Sequence, residues 1–158
     1  MAEENPAAGQ QPQGPQFGVQ KTFVKDLSFE TPMGVKVFTQ AFQPQVKLDV
    51  NTRTAPVAEN QYEVVLTITA TAKVEEETGY CVEVQQAGIF AISGFEEEQL
   101  KHVLGAVCPN FLFPYAREAV DSTIVRGGFP PLSLAPIDFD ALFKSGQTSG
   151  SAEGQKLN

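Results

Sequence analysis

His102 is the single histidine of this sequence, and Cys81 and Cys108 are its two cysteines. One imidazole cannot seed a histidine metal cluster, and two thiols fall short of a zinc site. A thiol nucleophile would need the pair Cys108 and His102. A separation of six positions along a helix turns the side chains onto different faces, which weighs against that pairing. The sequence has no glycine-rich loop followed by a lysine that would cradle phosphates. What remains is recognition chemistry: carboxylates for a basic surface, aromatic rings for an apolar one. Asp26 and Glu30, four apart on a strand pattern, point to one side about 13 Å from each other at about 3.3 Å per residue. Glu83 lies on the polar side of another strand pattern. Taken alone, such acids also describe a solvated sheet face.

The elements that must carry these groups follow from periodicity. Phe23, Leu27 and Phe29 alternate with Asp26, Ser28 and Glu30 in a first strand. Val46, Leu48 and Val50 alternate with Lys47, Asp49 and Asn51 in a second. Tyr62, Val64, Leu66, Ile68, Ala70, Ala72 and Val74 form one face of a third. The fourth runs from Tyr80 to about Ile92, with Tyr80, Val82, Val84, Phe90 and Ile92 opposite Glu83 and Gln85. The polar run Glu75 to Gly79 is the turn that makes an antiparallel hairpin of the last two. A helix is expected from Glu96 to about Val107, ended by Pro109. Asn110 would cap the next, whose stripe is Phe113, Ala116, Val120 and Ile124, and Gly127 and Gly128 would stop it. Asp138 would cap a short final helix carrying Phe139, Leu142 and Phe143. Strands first and helices after predict an α+β domain with one four-stranded antiparallel sheet packed with helices.

The 158 residues suit one domain. Residues 1–20, rich in Gln, Pro, Gly and Ala, read as a disordered extension; residues 21–144 read as the folded domain; the Gly- and Ser-rich 145–158 read as a flexible tail. Eleven Lys and Arg against nineteen Asp and Glu give a formal charge of −8, which repels phosphate backbones and argues against nucleic acid as a partner. No apolar run approaches the roughly twenty residues that span a bilayer, and no signal peptide is visible. The expectation is a cytoplasmic protein with free thiols and no direct membrane insertion.

CPNFLFPYAR (Cys108 to Arg117) puts two prolines and three aromatics into ten residues. Together with KDLSFETP (Lys25 to Pro32), FQPQVKLDV (Phe42 to Val50), VEVQQAGIF (Val82 to Phe90) and SLAPIDFDALF (Ser133 to Phe143), it resembles the SecB protein-export chaperones from about Phe23 to Phe143. The resemblance implies a homotetramer built as a dimer of dimers. It implies an ATP-independent holdase, not an enzyme and without cofactor or metal, that keeps secretory precursors unfolded and delivers them to the SecA motor. Alternatives left open by the residues are a SecB-like chaperone dedicated to one client such as an antitoxin, a small-ligand-binding α+β domain, or an enzyme using Cys108.

Site residues come with the same resemblance. Asp26, Glu30, Cys81 and Glu83 match the SecA-docking surface, with Cys81 where better-known members have leucine. Phe42, at a position where tryptophan is often found, is expected to line the client groove with Val46, Leu48, Tyr80, Phe139 and Phe143. Val84, Gln86, Phe113, Val120 and Ile124 are expected at the oligomer interface.

Overall fold

Four long strands pair antiparallel in the order β1-β4-β3-β2: β1 (Gln16–Glu30), β2 (Gln45–Ala58), β3 (Gln61–Val74) and β4 (Glu77–Ser93). The computed structural model describes residues 14–149 and 155–157. A short β5 (Gln155–Leu157) joins the free edge of β2 and makes the sheet five-stranded. The two most apolar strands, β3 and β4, take the centre, where both edges are paired and one face meets the helices. Pro56 sits near the end of β2, the position in a sheet where a missing donor costs least. The β3–β4 turn is tighter than the polar run suggested. Only Glu75 and Glu76 lie between the strands, with Glu75 at φ +56°; Glu77 and Thr78 already pair with β3, and Gly79 is skipped by a register shift before Tyr80.

β1 departs from simple alternation. Register shifts between Val19 and Lys21, and between Val24 and Asp26, insert two bulges. A bulge adds one residue to one strand and flips the facing of everything beyond it. Phe23 therefore faces Ala87 on the outer side of the sheet, while Leu27 and Phe29 face Val84 and Val82 on the helix side. The single-face reading of Phe23 with Leu27 and Phe29 is corrected by the bulge at Lys25.

The helical region is one rod instead of two helices. α1 (Glu97–His102) opens on a capping box between Glu96 and Gln99 and runs into a π-helical turn, Val103–Val107, then into α2 (Cys108–Arg126). Neither Pro109 as a terminator nor Asn110 as a cap survives. In a regular α-helix the Pro109 ring would clash with the Gly105 carbonyl. The wider turn, in which Cys108 N–H donates to the Val103 carbonyl, accommodates it, and Pro109 lies in the first turn of α2. The far end stops as expected. Gly128, at φ +91°, lets Gly128 N–H reach the Val125 carbonyl and Phe129 N–H reach the Ile124 carbonyl, a Schellman motif.

α2 lies on β4 and β3, burying Cys108, Leu112, Phe113, Ala116, Ala119, Val120 and Ile124 against Leu66, Ile68, Val82, Val84 and Phe90. α3 (Phe139–Ser149) is capped by Asp138, whose Oδ1 accepts from Ala141 N–H at 3.0 Å, and it docks on the π turn.

Two boundaries move. β1 begins at Gln16, inside the segment read as a disordered extension, because Gln16, Phe17, Gly18 and Val19 are paired to β4. α3 continues through Ser149, so the last helix is longer than the Lys144–Ser145–Gly146 sequence suggested, and 155–157 are a strand. The disordered reading of residues 1–13 and the tail reading of 150–154 and 158 lie outside the described residues.

Candidate functional site: two faces of one sheet

Cross-strand partners in an antiparallel sheet share a face. Asp26 pairs with Gln85, Ser28 with Glu83 and Glu30 with Cys81; Thr69 and Thr71 pair with Glu83 and Cys81 from the other side. The four expected docking residues, Asp26, Glu30, Cys81 and Glu83, therefore come together on the outer face. Asp26 and Glu30 are exposed. Glu83 accepts a hydrogen bond from Thr69 Oγ1 at 2.9 Å, and Cys81 Sγ lies 3.6 Å from Thr71 Oγ1. Lys25, the neighbour of Asp26, instead pairs with Glu63 at 2.8 Å. Arg53 reaches toward the carboxylates: its guanidinium donates to Gln85 Oε1, the cross-strand neighbour of Asp26, at 3.4 Å.

The helix face carries aromatic rings at one end. Tyr80 (1% exposed) and Phe129 are buried with ring centroids 4.9 Å apart; Phe42 lies 5.0 Å and Phe38 5.1 Å from Phe129, and Phe29 lies 6.0 Å from Tyr80. Glycines admit the rings. A Cβ on Gly79 would come within 3.1 Å of Phe42, and one on Gly127 would collide with Phe29. The Schellman motif aims Phe129 into this cluster. Above it, a 3-10 turn, Gly34–Thr39, places Val35 and Phe38 on one side by its three-residue period while Val37 turns into the core. Val35 is 79% and Phe38 53% exposed. Thr31 Oγ1 donating to the Gly79 carbonyl and Lys36 paired to Glu77 pin the crossover over β4. The Tyr80 hydroxyl is pushed up to about 12, by burial first and by Asp121 second.

Of the six expected groove residues, Phe42 and Tyr80 share this cluster, and Val46 is level with Tyr80 through Ala72. Leu48 follows two positions along β2, next to Ala70 and Val82. Phe139 and Phe143 belong to a second group under α3. Phe139 is buried 6.0 Å from Phe113, and Phe143 packs edge-on to His102 and against bare Gly105. Asp140 Oδ1 lies 2.5 Å from His102 Nε2 across the same joint. Tyr80 and Phe139 are both buried. Sequence reasoning missed Val35, Phe38 and Phe129. The signals were a lone aromatic after Gly-Gly, and two apolar residues three apart in a segment read as a connection.

Val84, Gln86, Phe113, Val120 and Ile124, expected at the oligomer interface, are all buried inside their own subunit, with Gln86 Nε2 donating to the Phe23 carbonyl. The apolar surface left open is elsewhere. Phe17, Val19, Val24 and Leu27 on the helix side of β1 are exposed, as are Phe111 and Tyr115 on α2. Rings link the two elements: Phe17–Phe90 at 5.7 Å, Phe90–Phe111 at 6.1 Å and Phe111–Tyr115 at 5.8 Å.

Cys108 is buried and its thiol pushed up to about 12 by that burial, which removes the thiolate a nucleophile needs. Among the described residues no three His, Cys, Asp or Glu side chains gather to hold a metal, and no helix is long and apolar enough to cross a membrane.

An α+β protein with exposed Val35 and Phe38 over a buried aromatic cluster on one side of its sheet, and carboxylates on the other, is organised for binding. The chain belongs to the SecB family: the family model described as preprotein translocase subunit SecB matches residues 10–149. A relative from Marinobacter nauticus, named protein-export protein SecB, is 50% identical over 165 aligned positions covering 100% of both chains. The solved structure of a SecB-like chaperone from Mycobacterium tuberculosis, in complex with a peptide from an antitoxin, has the same fold. Its TM-score is 0.62 at 15% identity, over 77% of this chain and 90% of that one.

Proposed function

We propose that this protein is a protein-export chaperone: it holds secretory precursors unfolded in the cytoplasm, without nucleotide or cofactor, and passes them to SecA. The observation that carries the reading is the exposed Val35–Phe38 rim over the Phe42–Tyr80–Phe129 floor, continued along β2 by Val46 and Leu48. Apolar burial at about 25 cal/mol per Å² ignores sequence, which suits a holder of many clients. Asp26, Glu30 and Glu83 on the opposite face suit a basic partner, steering it by charge. The open β1 and α2 surface supports assembly into a dimer of dimers, which multiplies weak client contacts through effective concentration. The export reading is preferred to a chaperone dedicated to one antitoxin because the 50% identical relative carries export in its name.

The test is direct. The protein should bind a reduced, carboxymethylated polypeptide and ignore the native form of the same chain. Replacing Asp26→Asn, Glu30→Gln and Glu83→Gln together should abolish SecA binding and leave client affinity unchanged. Equal binding of native and unfolded chains would refute the holdase; undiminished SecA binding would refute the docking face.

A further inference from the structure

Among the four long strands, β2 lies at the end of the sheet that carries the apolar row Val46 and Leu48. A long edge strand presents a row of backbone donors and acceptors to any extended chain. Here part of that row is taken. β5 pairs antiparallel with β2, setting Gln155 against Val50, Lys156 against Asp49 and Leu157 against Leu48. The match is one of backbone register, three residues long. Leu48 continues the apolar row from Val46, and β2 also touches the π turn on which α3 sits.

We propose that the Leu48–Val50 edge is a strand-acceptor site for extended polypeptide, and that the chain's own C-terminal segment, Gln155–Leu157, is its resident competitor. This rests on the holdase reading for the identity of the displacing ligand. Strand addition gives affinity through main-chain bonds and asks little of sequence, so a client segment and β5 are chemically interchangeable on this edge. β5 is tethered close by, since only residues 150–154 separate it from α3. A short tether gives a high effective concentration, while three residues of pairing give little intrinsic strength. The segment is therefore an occupant that a longer client strand can displace. Client affinity is lowered by the fraction of time the edge is taken.

The experiment uses the full chain and Lys156→Pro, which removes a backbone donor and fixes φ in the middle of β5. Hydrogen exchange reads the Leu48–Val50 amides, and titration with a reduced, carboxymethylated polypeptide reads client affinity. The expected result is lost protection at Leu48–Val50 in the variant, with client affinity raised about three- to tenfold, the range for an edge occupied most of the time. A synthetic peptide of residues 150–158 added to the variant should restore protection and compete with client. Unchanged protection overturns the acceptor site, and lost protection with unchanged or lowered client affinity overturns the competition. If neither chain binds unfolded polypeptide, the holdase reading and the competition both fail. The exchange data and the added peptide then decide the acceptor site by themselves.

Discussion

Gly105→Ala should destabilise this protein even though alanine is the better helix former. Gly105 lies in the π turn without a positive φ, and a Cβ there would collide with the ring of Phe143. Helix propensity alone favours alanine by about 0.5–1 kcal/mol. Against this, forcing a methyl into a filled contact costs about 1–3 kcal/mol. Phe143 is only partly buried, so its ring can yield and the cost belongs at the middle of that range. The net is a loss of about 1 kcal/mol, or about 2–5 °C in melting temperature for a domain of this size. In a Phe143→Ala background the collision is gone, and Gly105→Ala should stabilise by about 0.5–1 kcal/mol. The sign reverses, a non-additivity of about 2 kcal/mol that a double-mutant cycle reads directly. Denaturant titration at one fixed protein concentration serves, since assembly would otherwise shift the midpoint. Hydrogen exchange should locate the loss in α3, held over this joint by Phe143 and the His102–Asp140 pair. Stabilisation by Gly105→Ala in both backgrounds would refute the packing argument.

Leu27→Lys, on the exposed apolar row of β1, should reduce the assembly toward the 17.1 kDa protomer by light scattering while the fold persists in circular dichroism; an unchanged mass would move the interface off β1. Phe38→Ala removes the exposed rim ring and should weaken capture of an unfolded polypeptide severalfold, at a stability cost of about 1 kcal/mol or less because the ring is half open. Equal capture would place the cleft elsewhere. Stability should fall as pH rises above about 9: Cys108 and Tyr80 have folded-state values raised to about 12 from 9.0 and 10.0, so the unfolded chain loses those protons first and deprotonation favours it. Cys108→Ala should flatten the lower part of that slope in urea titrations between pH 8 and 10.

The strands, their antiparallel pairing and the α2 stripe were legible because each rests on a local period. The failures share one cause, which is that local patterns break where tertiary contacts decide. Val24 and Leu27, three apart, cannot share a face of a regular strand. Only the bulge at Lys25 makes them neighbours on the helix side, and it turns Phe23 outward. Pro109 looks like a stop until a π turn absorbs it. The apolar stripe of α2 was legible, but whether it meets its own sheet or another subunit is a question of packing, and the sheet took it. Asp26 and Glu30 share a face because both lie beyond the second bulge of β1, where alternation is unbroken, and pairing with β4 puts Glu83 on that same face. The aromatic cleft was half legible. Its floor draws on Phe129, placed by a helix-ending motif, and its rim on a 3-10 turn, and neither announces itself through hydrophobic periodicity.

The arrangement also constrains how a client would leave. The cleft and the carboxylates occupy opposite faces of the same strands, with Tyr80 pointing one way and its neighbour Cys81 the other. A partner docked on the carboxylates cannot push a client out by occupying its place. Nor can it neutralise the cleft by charge, because apolar burial does not depend on the far-side field. Binding on the two faces is therefore compatible, and a complex of chaperone, client and partner is the expected intermediate. On the proposed reading, release proceeds by mass action, as segments that detach spontaneously are captured by the partner. Weak, repeated contacts suit this better than one tight site. Each segment dissociates fast enough to be captured, while the remaining segments keep the chain from folding or escaping. A cleft with a half-exposed rim, open instead of enclosed, is what that balance requires.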